Sequence, residues 1–136
     1  MSSDIERQFV EAFVTMEKRQ RLFDFFASKK ARWKALLELA HFHPDIIDAR
    51  WAEPVRRAES TPVSIARRLR EKGASGDCYV FSNASSLDQR VIPLDDAIRT
   101  VHGVGCGTVV SGIPGELAFF EGELFPDEHI LHRTKT

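Results

Sequence analysis

The stretch His102-Gly103-Val104-Gly105-Cys106-Gly107-Thr108 is where the residue types of this chain come closest to a chemical site. Glycines at alternate positions free a backbone to approach a phosphate or to turn sharply. A phosphate fingerprint needs a strand before its glycines and a helix after them, so that the anion rests on the helix N-terminus. Here the pattern predicts a helix leading in and a strand leading out, and the lysine of a P-loop is missing. A helix cap with a close backbone crossing is the expected role. Cys106 lies four residues after His102, and a Cys–His pair can supply a nucleophile and its base. Thiolate activation wants a positive neighbour or a helix N-terminus, whereas this position follows a helix C-terminus. A small enzyme centred on His102 and Cys106 is therefore an alternative, and the main reading assigns no catalytic residue.

Two histidine pairs, His41/His43 and His129/His132, raise metal binding, but neither has the spacing of a strong ligand pattern. No metal and no cofactor are expected. Asp95-Asp96 suits a helix N-terminus. Glu121 and Glu123 fall on one face of a strand, beside Phe119 and Phe120, with no evident polar cleft. Ser82 and Ser111 lack evident His–acid partners. The remaining lead is cationic. Lys29, Lys30, Arg32 and Lys34 surround Trp33, and Arg67, Arg68 and Arg70 crowd a second helix. Clustered Lys and Arg on helices is the footprint of phosphate binding, so a nucleic-acid partner is the first alternative, ahead of the enzyme. Against it stand a pI near 6.5 and acids interleaved in the same helices.

The elements that must position these residues follow from periodicity. Ser3-Asp4-Ile5-Glu6 has capping-box spacing, and Ile5, Phe9, Ala12, Phe13 and Met16 form one helical stripe behind it. Leu22, Phe26, Trp33, Leu36, Leu37 and Ala40 form another, rotated by roughly 100° on an ideal helix. One straight helix cannot bury both stripes, so a break is expected near Ser28. His43-Pro44 should end this helical region. Pro44 to Trp51 reads as a short helix, and Arg50 to Ser60 as a mobile connection. Thr61-Pro62 starts another helix, with Val63, Ile65, Ala66 and Leu69 as its buried face and Gly73 as its terminator. After Gly73 the period becomes that of strands: Cys78–Phe81, a lead-in at Val91-Ile92, then a short helix from Leu94 to His102. Thr108 to Glu121 reads as a β-hairpin turning at Pro114-Gly115 by a type II turn or a wider loop. His129 to His132 would add an edge strand, and Lys135-Thr136 a frayed tail.

The expected fold is a single α+β domain over residues 1–136: an N-terminal layer of three to four helices on a small, mostly antiparallel sheet of three to five strands. Residues 1–73 hold fifteen Lys/Arg against eleven Asp/Glu, and residues 74–136 four against nine. Opposed fields on two faces would follow if helices and sheet form separate layers. No apolar run approaches the ~20 residues of a membrane span. The polar N-terminus and the absence of a signal pattern favour a soluble, cytoplasmic protein with Cys78 and Cys106 reduced. The functional expectation is a non-enzymatic binding or regulatory module acting on a protein partner, or on a second copy of itself, through its N-terminal helices. Phe25 projects opposite the Phe9, Phe13 and Phe23 stripe and is assigned to that surface with Trp33, although the spacing of Trp33 with Leu36 and Leu37 also suits a core position.

Overall fold

A computed structural model describes residues 2–124 and 127–133, with side chains from residue 4 onward. The Ser3 side chain of the expected capping box and the Lys135-Thr136 tail lie outside the described residues. Five helices and six strands alternate as α1 (Ser2–Phe13), α2 (Met16–Ala27), α3 (Arg32–Ile46), β1 (Ala52–Pro54), α4 (Pro62–Glu71), β2 (Asp77–Ser82), β3 (Arg90–Pro93), α5 (Leu94–Val101), β4 (Thr108–Ile113), β5 (Leu117–Glu121) and β6 (Glu128–His132). The strands form one antiparallel sheet in the order β1-β6-β5-β4-β2-β3. The chain is therefore α+β, with its hairpin at Pro114-Gly115. Glu116 N–H donates to the Ile113 carbonyl at 2.9 Å, and Gly115 has φ +73°, the left-handed value a type II turn needs at that position. A register shift between Ser111 and Ile113 accommodates this turn between twisted strands.

Alternation along the strands divides the sheet between two cores. Tyr79, Phe81, Val109, Ala118, Phe120 and Leu131 pack against Phe9, Phe13, Leu22, Leu36 and Leu39 of α1–α3. Cys78, Val80, Val110, Leu117, Phe119 and Ile130 face the other way, onto Ile65 and Leu69 of α4 and Ala97, Ile98 and Val101 of α5. Helices thus cover both faces. The basic and acidic halves of the chain do not become two opposed faces, because the sheet is the middle layer.

Several local expectations need correction. The chain breaks near Ser28, where Ser28 Oγ accepts from Ala31 N–H at 3.2 Å, but it also breaks earlier, at Val14-Thr15. There Thr15 N–H donates to the Ile46 carbonyl and Asp48 N–H to the Phe13 carbonyl, each at 2.7 Å. A backbone pairing with the end of α3 has replaced a helical turn. Pro44 lies inside the last turn of α3, and the regular helix ends just before it, at Phe42 (φ −119°, ψ 18°). The connection from Arg50 to Ser60 is structured: it carries β1, which pairs with β6, so β6 is an interior strand and β1 the edge. Val63, expected on a buried face, is 71% exposed; Trp33, assigned to the partner surface although its spacing also suited a core, is 54% exposed. Helix α4 otherwise follows its signals, with Thr61 Oγ1 accepting from Ser64 N–H at 3.2 Å and Gly73 at φ +113°.

Glu6, expected to reach back to a capping box, instead lies on the buried stripe with Phe9, Val10 and Phe13. Its carboxylate accepts from Tyr79 Oη at 2.7 Å and from Arg32 Nη1 at 2.8 Å. Arg32 also donates to Asp88 at 2.6 Å, and Asp88 accepts from Ser82 N–H at 3.0 Å. One guanidinium thereby ties α1, α3 and the loop after β2 together. Burial pushes the Glu6 carboxyl above its ordinary value, against the opposing pull of Tyr79 and Arg32. Removing the cation from such a pair strands a buried charge. Arg32→Ala is expected to cost about 3 kcal/mol or more in urea unfolding, whereas Arg21→Ala, which breaks the exposed Arg21–Glu38 pair, should cost less than about 1 kcal/mol.

Candidate functional site

At one end of the sheet, the face turned toward α4 and α5 changes from apolar to polar. Ser82, Thr108, Glu121 and Glu128 follow one another across β2, β4, β5 and β6 as consecutive register partners, and all four are buried. Ser82 Oγ and Thr108 Oγ1 hydrogen-bond at 2.7 Å. Glu121 and Glu128 form the last rung of the β5–β6 ladder, side by side on this face.

The glycine loop closes over this row. Gly103 N–H donates to Glu121 Oε2 at 2.8 Å and Gly105 N–H to Glu121 Oε1 at 2.6 Å. Residues Gly103, Gly105, Cys106 and Gly107 all have positive φ. A side chain at Gly105 would collide with the Glu123 carbonyl, and one at Gly107 with the Ala40 backbone. Successive inward N–H groups in such a turn make an anion-binding concavity. Its anion here is Glu121 of the same chain, so these amides are not open to a phosphate. Burial drives the Glu121 carboxyl up to about 7; the two amide donors work against that shift, and Glu128 adds to it.

Beside this rung, Ser60 Oγ donates to Glu128 Oε1 and lies 3.0 Å from His102 Nε2. His102 Nε2 is also 3.2 Å from Glu128 Oε2. A hydrolytic relay needs the hydroxyl on one ring nitrogen and the acid on the other. In this cluster both meet the same nitrogen, and the amides that might have served a developing oxyanion are held by Glu121. Cys106, four residues on, is exposed, and its thiol points to the Val104 carbonyl at 3.8 Å. The structure thus brings His102 to Ser60 and Glu128, a grouping invisible in the sequence because its members are far apart in the chain and sit in unremarkable contexts.

The two histidine pairs contribute one member each to a second cluster. His43, at the end of α3, pairs with Asp127, and His129 Nδ1 is 3.7 Å from the same carboxylate. The two rings are 5.7 Å apart. Gly122 makes room for this, since a Cβ there would strike Asp127 and crowd His43. They border a shallow cavity of about 290 Å³ with Pro44, Ile47, Ala49, Ala52 and Phe120. Burial lowers the His129 pKa, favouring its neutral form. His41 lies apart, paired with Glu123 at 2.6 Å. Among the described residues no group of three or more His, Cys, Asp or Glu is arranged to hold a metal ion.

The cationic residues are divided. Lys29 and Lys30 occupy the exposed turn between α2 and α3, and Lys34 follows Trp33 on the first turn of α3. The Lys34 ammonium is 5.9 Å from the Trp33 ring and 5.8 Å from the Phe25 ring, whose surroundings include Arg21 at 5.0 Å. Phe25 is half-buried and packs against the first core. Arg32 is spent on Glu6 and Asp88. On α4, Arg68 pairs with Glu53 and Glu59 and Arg70 with Asp95 at 2.7 Å, while Arg67 is exposed. Helices α3 and α4 cover opposite faces of the sheet, so the two basic segments do not meet in one patch.

Because the Glu121 value is raised on folding, its stabilising contribution is full below about 4.5 and is lost as pH rises through about 7. The span of about 2.5 units corresponds to at most roughly 3.5 kcal/mol. Urea midpoints should therefore fall between pH 5 and pH 8, with a shallower fall in Glu121→Gln, where an amide replaces the titrating group. Equal slopes in the two proteins would contradict this assignment.

Comparison with protein families, curated proteins and solved structures finds no match to this chain, so its function has to be argued from its own residues.

Proposed function

We propose that this protein is a binding module without chemistry of its own, and that it engages an acidic protein surface through the junction of α2 and α3. One observation carries the reading. Trp33, more than half exposed, stands among Lys29, Lys30 and Lys34, and none of these lysines has a carboxylate partner among the described residues. Arg7, Arg21, Arg32, Arg50, Arg68, Arg70 and Arg99, by contrast, all carry one. An exposed aromatic ring with one unneutralised ammonium at 5.9 Å, and two more lysines in the adjoining turn, suits an anchor with electrostatic steering. The Phe25 ring adjoins the patch, 5.8 Å from the Lys34 ammonium and 5.0 Å from the Arg21 guanidinium.

The alternatives draw less support. A nucleic-acid groove gains from several cations on one track, and here the α3 and α4 segments lie on opposite faces with Arg32, Arg68 and Arg70 already paired. Catalysis at His102 would need a reactive group aligned on a free ring nitrogen in a cleft, and the described contacts of His102 run to Ser60 and Glu128.

Trp33 is a cleaner probe than Phe25, because a charge at half-buried Phe25 would also disturb the first core. Titration with a Glu/Asp-rich peptide should give binding that weakens at least tenfold in Trp33→Ala and in Lys30→Glu/Lys34→Glu. Stability should stay within about 0.5 kcal/mol, as for surface substitutions. Parallel titrations with single- and double-stranded oligonucleotides, and sedimentation of the free protein, read the competing partners. Tight oligonucleotide binding, or self-association unaffected by these substitutions, would overturn the proposal.

A further inference from the structure

We infer that Glu121 and Glu128 share one proton, and that this proton is the clasp closing the end of the β5–β6 ladder against the glycine loop, so that the loop is released as the pH rises past neutrality. The geometry makes the case. Both residues are fully or almost fully buried, at 0% and 2% exposure, and no Lys or Arg among the described residues pairs with either. Glu121 has its donors in Gly103 and Gly105, and Glu128 Oε1 has Ser60. Glu128 Oε2, however, is buried with no aligned hydrogen-bond donor; the His102 ring approaches it at 3.2 Å as a charge contact. A buried carboxylate oxygen without a donor costs several kcal/mol. A proton between the carboxyls removes that cost, turning a like-charge rung into an O–H···O⁻ hydrogen bond. Two carboxyls sharing a site titrate as a pair, one of them well above its ordinary value, and the Glu121 shift agrees in direction.

The charged and titratable groups facing the clasp come from each neighbouring element. His102 at the end of α5 faces Glu128, and its protonation would favour the Glu128 anion and move the shared proton toward Glu121. His129, next along β6, interacts electrostatically with Glu128 from the other face of the sheet. Glu123 and Asp127 belong to the connection between β5 and β6. Glu123 contributes its backbone carbonyl to Cys106 N–H at 3.4 Å, and Gly122 N–H donates to the Asp127 carbonyl at 2.8 Å. Cys106 is the one thiol on the loop, and it points away. When the proton leaves to solvent, two negative charges remain across the last rung. The cost of keeping these anions from water exceeds what the Gly103 and Gly105 amides return to Glu121, so those bonds give way and water reaches the rung. The loop rests on this rung through Glu121 and on the adjoining connection through Cys106 and Gly107, so it loses its seat.

Amide hydrogen exchange followed by NMR, corrected for intrinsic rates, reads this directly. Protection of the Gly103, Gly105 and Gly122 amides is expected to fall at least tenfold between pH 6 and pH 8 in the wild type, while amides of α1 hold. In Glu128→Gln an amide N–H replaces the shared proton permanently, and protection should then be the same at both pH values. Glu121→Gln should behave alike, so either variant suffices if the other does not fold. Unchanged wild-type protection from pH 6 to 8, or an equal loss in a folded Gln variant, would overturn the clasp.

Discussion

A sheet roofed by helices on both sides gives its central strands no water to turn to, and the interior polar chemistry of this protein follows from that constraint. Strand β2 is buried from Cys78 to Ser82 and β5 from Leu117 to Glu121. Apolar residues on either face pack as expected. Each polar side chain on those strands must instead find its partners inside the fold, or cost about 1–3 kcal/mol for each group left unmet. On the α1–α3 side the answer is the Arg32 guanidinium, which satisfies Glu6 and Asp88 together. On the α4–α5 side no Lys or Arg among the described residues pairs with the buried acids. The answer there is a hydroxyl pair, two backbone amides turned inward by glycines, and a pair of acids with His102 and Ser60 at its margin.

The glycine loop shows how backbone and side-chain requirements meet. Its positive φ values are needed to aim two N–H groups at Glu121, and its missing Cβ atoms are needed so that it can lie on α3 and on the β5–β6 connection. A pattern suggestive of ligand binding therefore serves an internal anion. The distribution of charge outside has its own logic: most arginines are neutralised by neighbours, and the lysines around Trp33 are not. The interior networks fix the relative positions of α1, α3 and β2, and with them the rigid platform on which the exposed ring stands.

Much of the architecture was legible in the chain. Thr61-Pro62 and Gly73 bracket α4, Pro114-Gly115 turns the hairpin, and the change of period after Gly73 marks the sheet, because each signal is local and acts through its own φ/ψ or hydrogen bond. The expected single helical layer on the sheet was too simple: α4 and α5 cover its second face, which is why Cys78–Phe81 and Leu117–Phe120 are unbroken apolar runs rather than one-sided alternations. The break at Val14-Thr15 was not readable, since it depends on pairing with Ile46-Ile47, remote in sequence. The same holds for β1, three residues that are a strand only because β6 lies beside them. The spacing of Trp33 matched a buried stripe, yet that stripe wraps past the edge of the contact, where tertiary geometry decides. Glu121 looked like a strand acid with no cleft, and its partners came from a loop, a distant strand and Ser60.

The interior of this protein is thus organised around carboxyl groups denied solvent from either side of one sheet. Side-chain carboxyl NMR of a protein labelled with ¹³C at glutamate Cδ would follow Glu6 on one face and Glu121 on the other in a single titration. Both carbons should take up their protons at a higher pH than glutamate in the unfolded chain, Glu121 near 7. Finding both at the unfolded value would mean that water reaches them, and that the sheet is not enclosed as described.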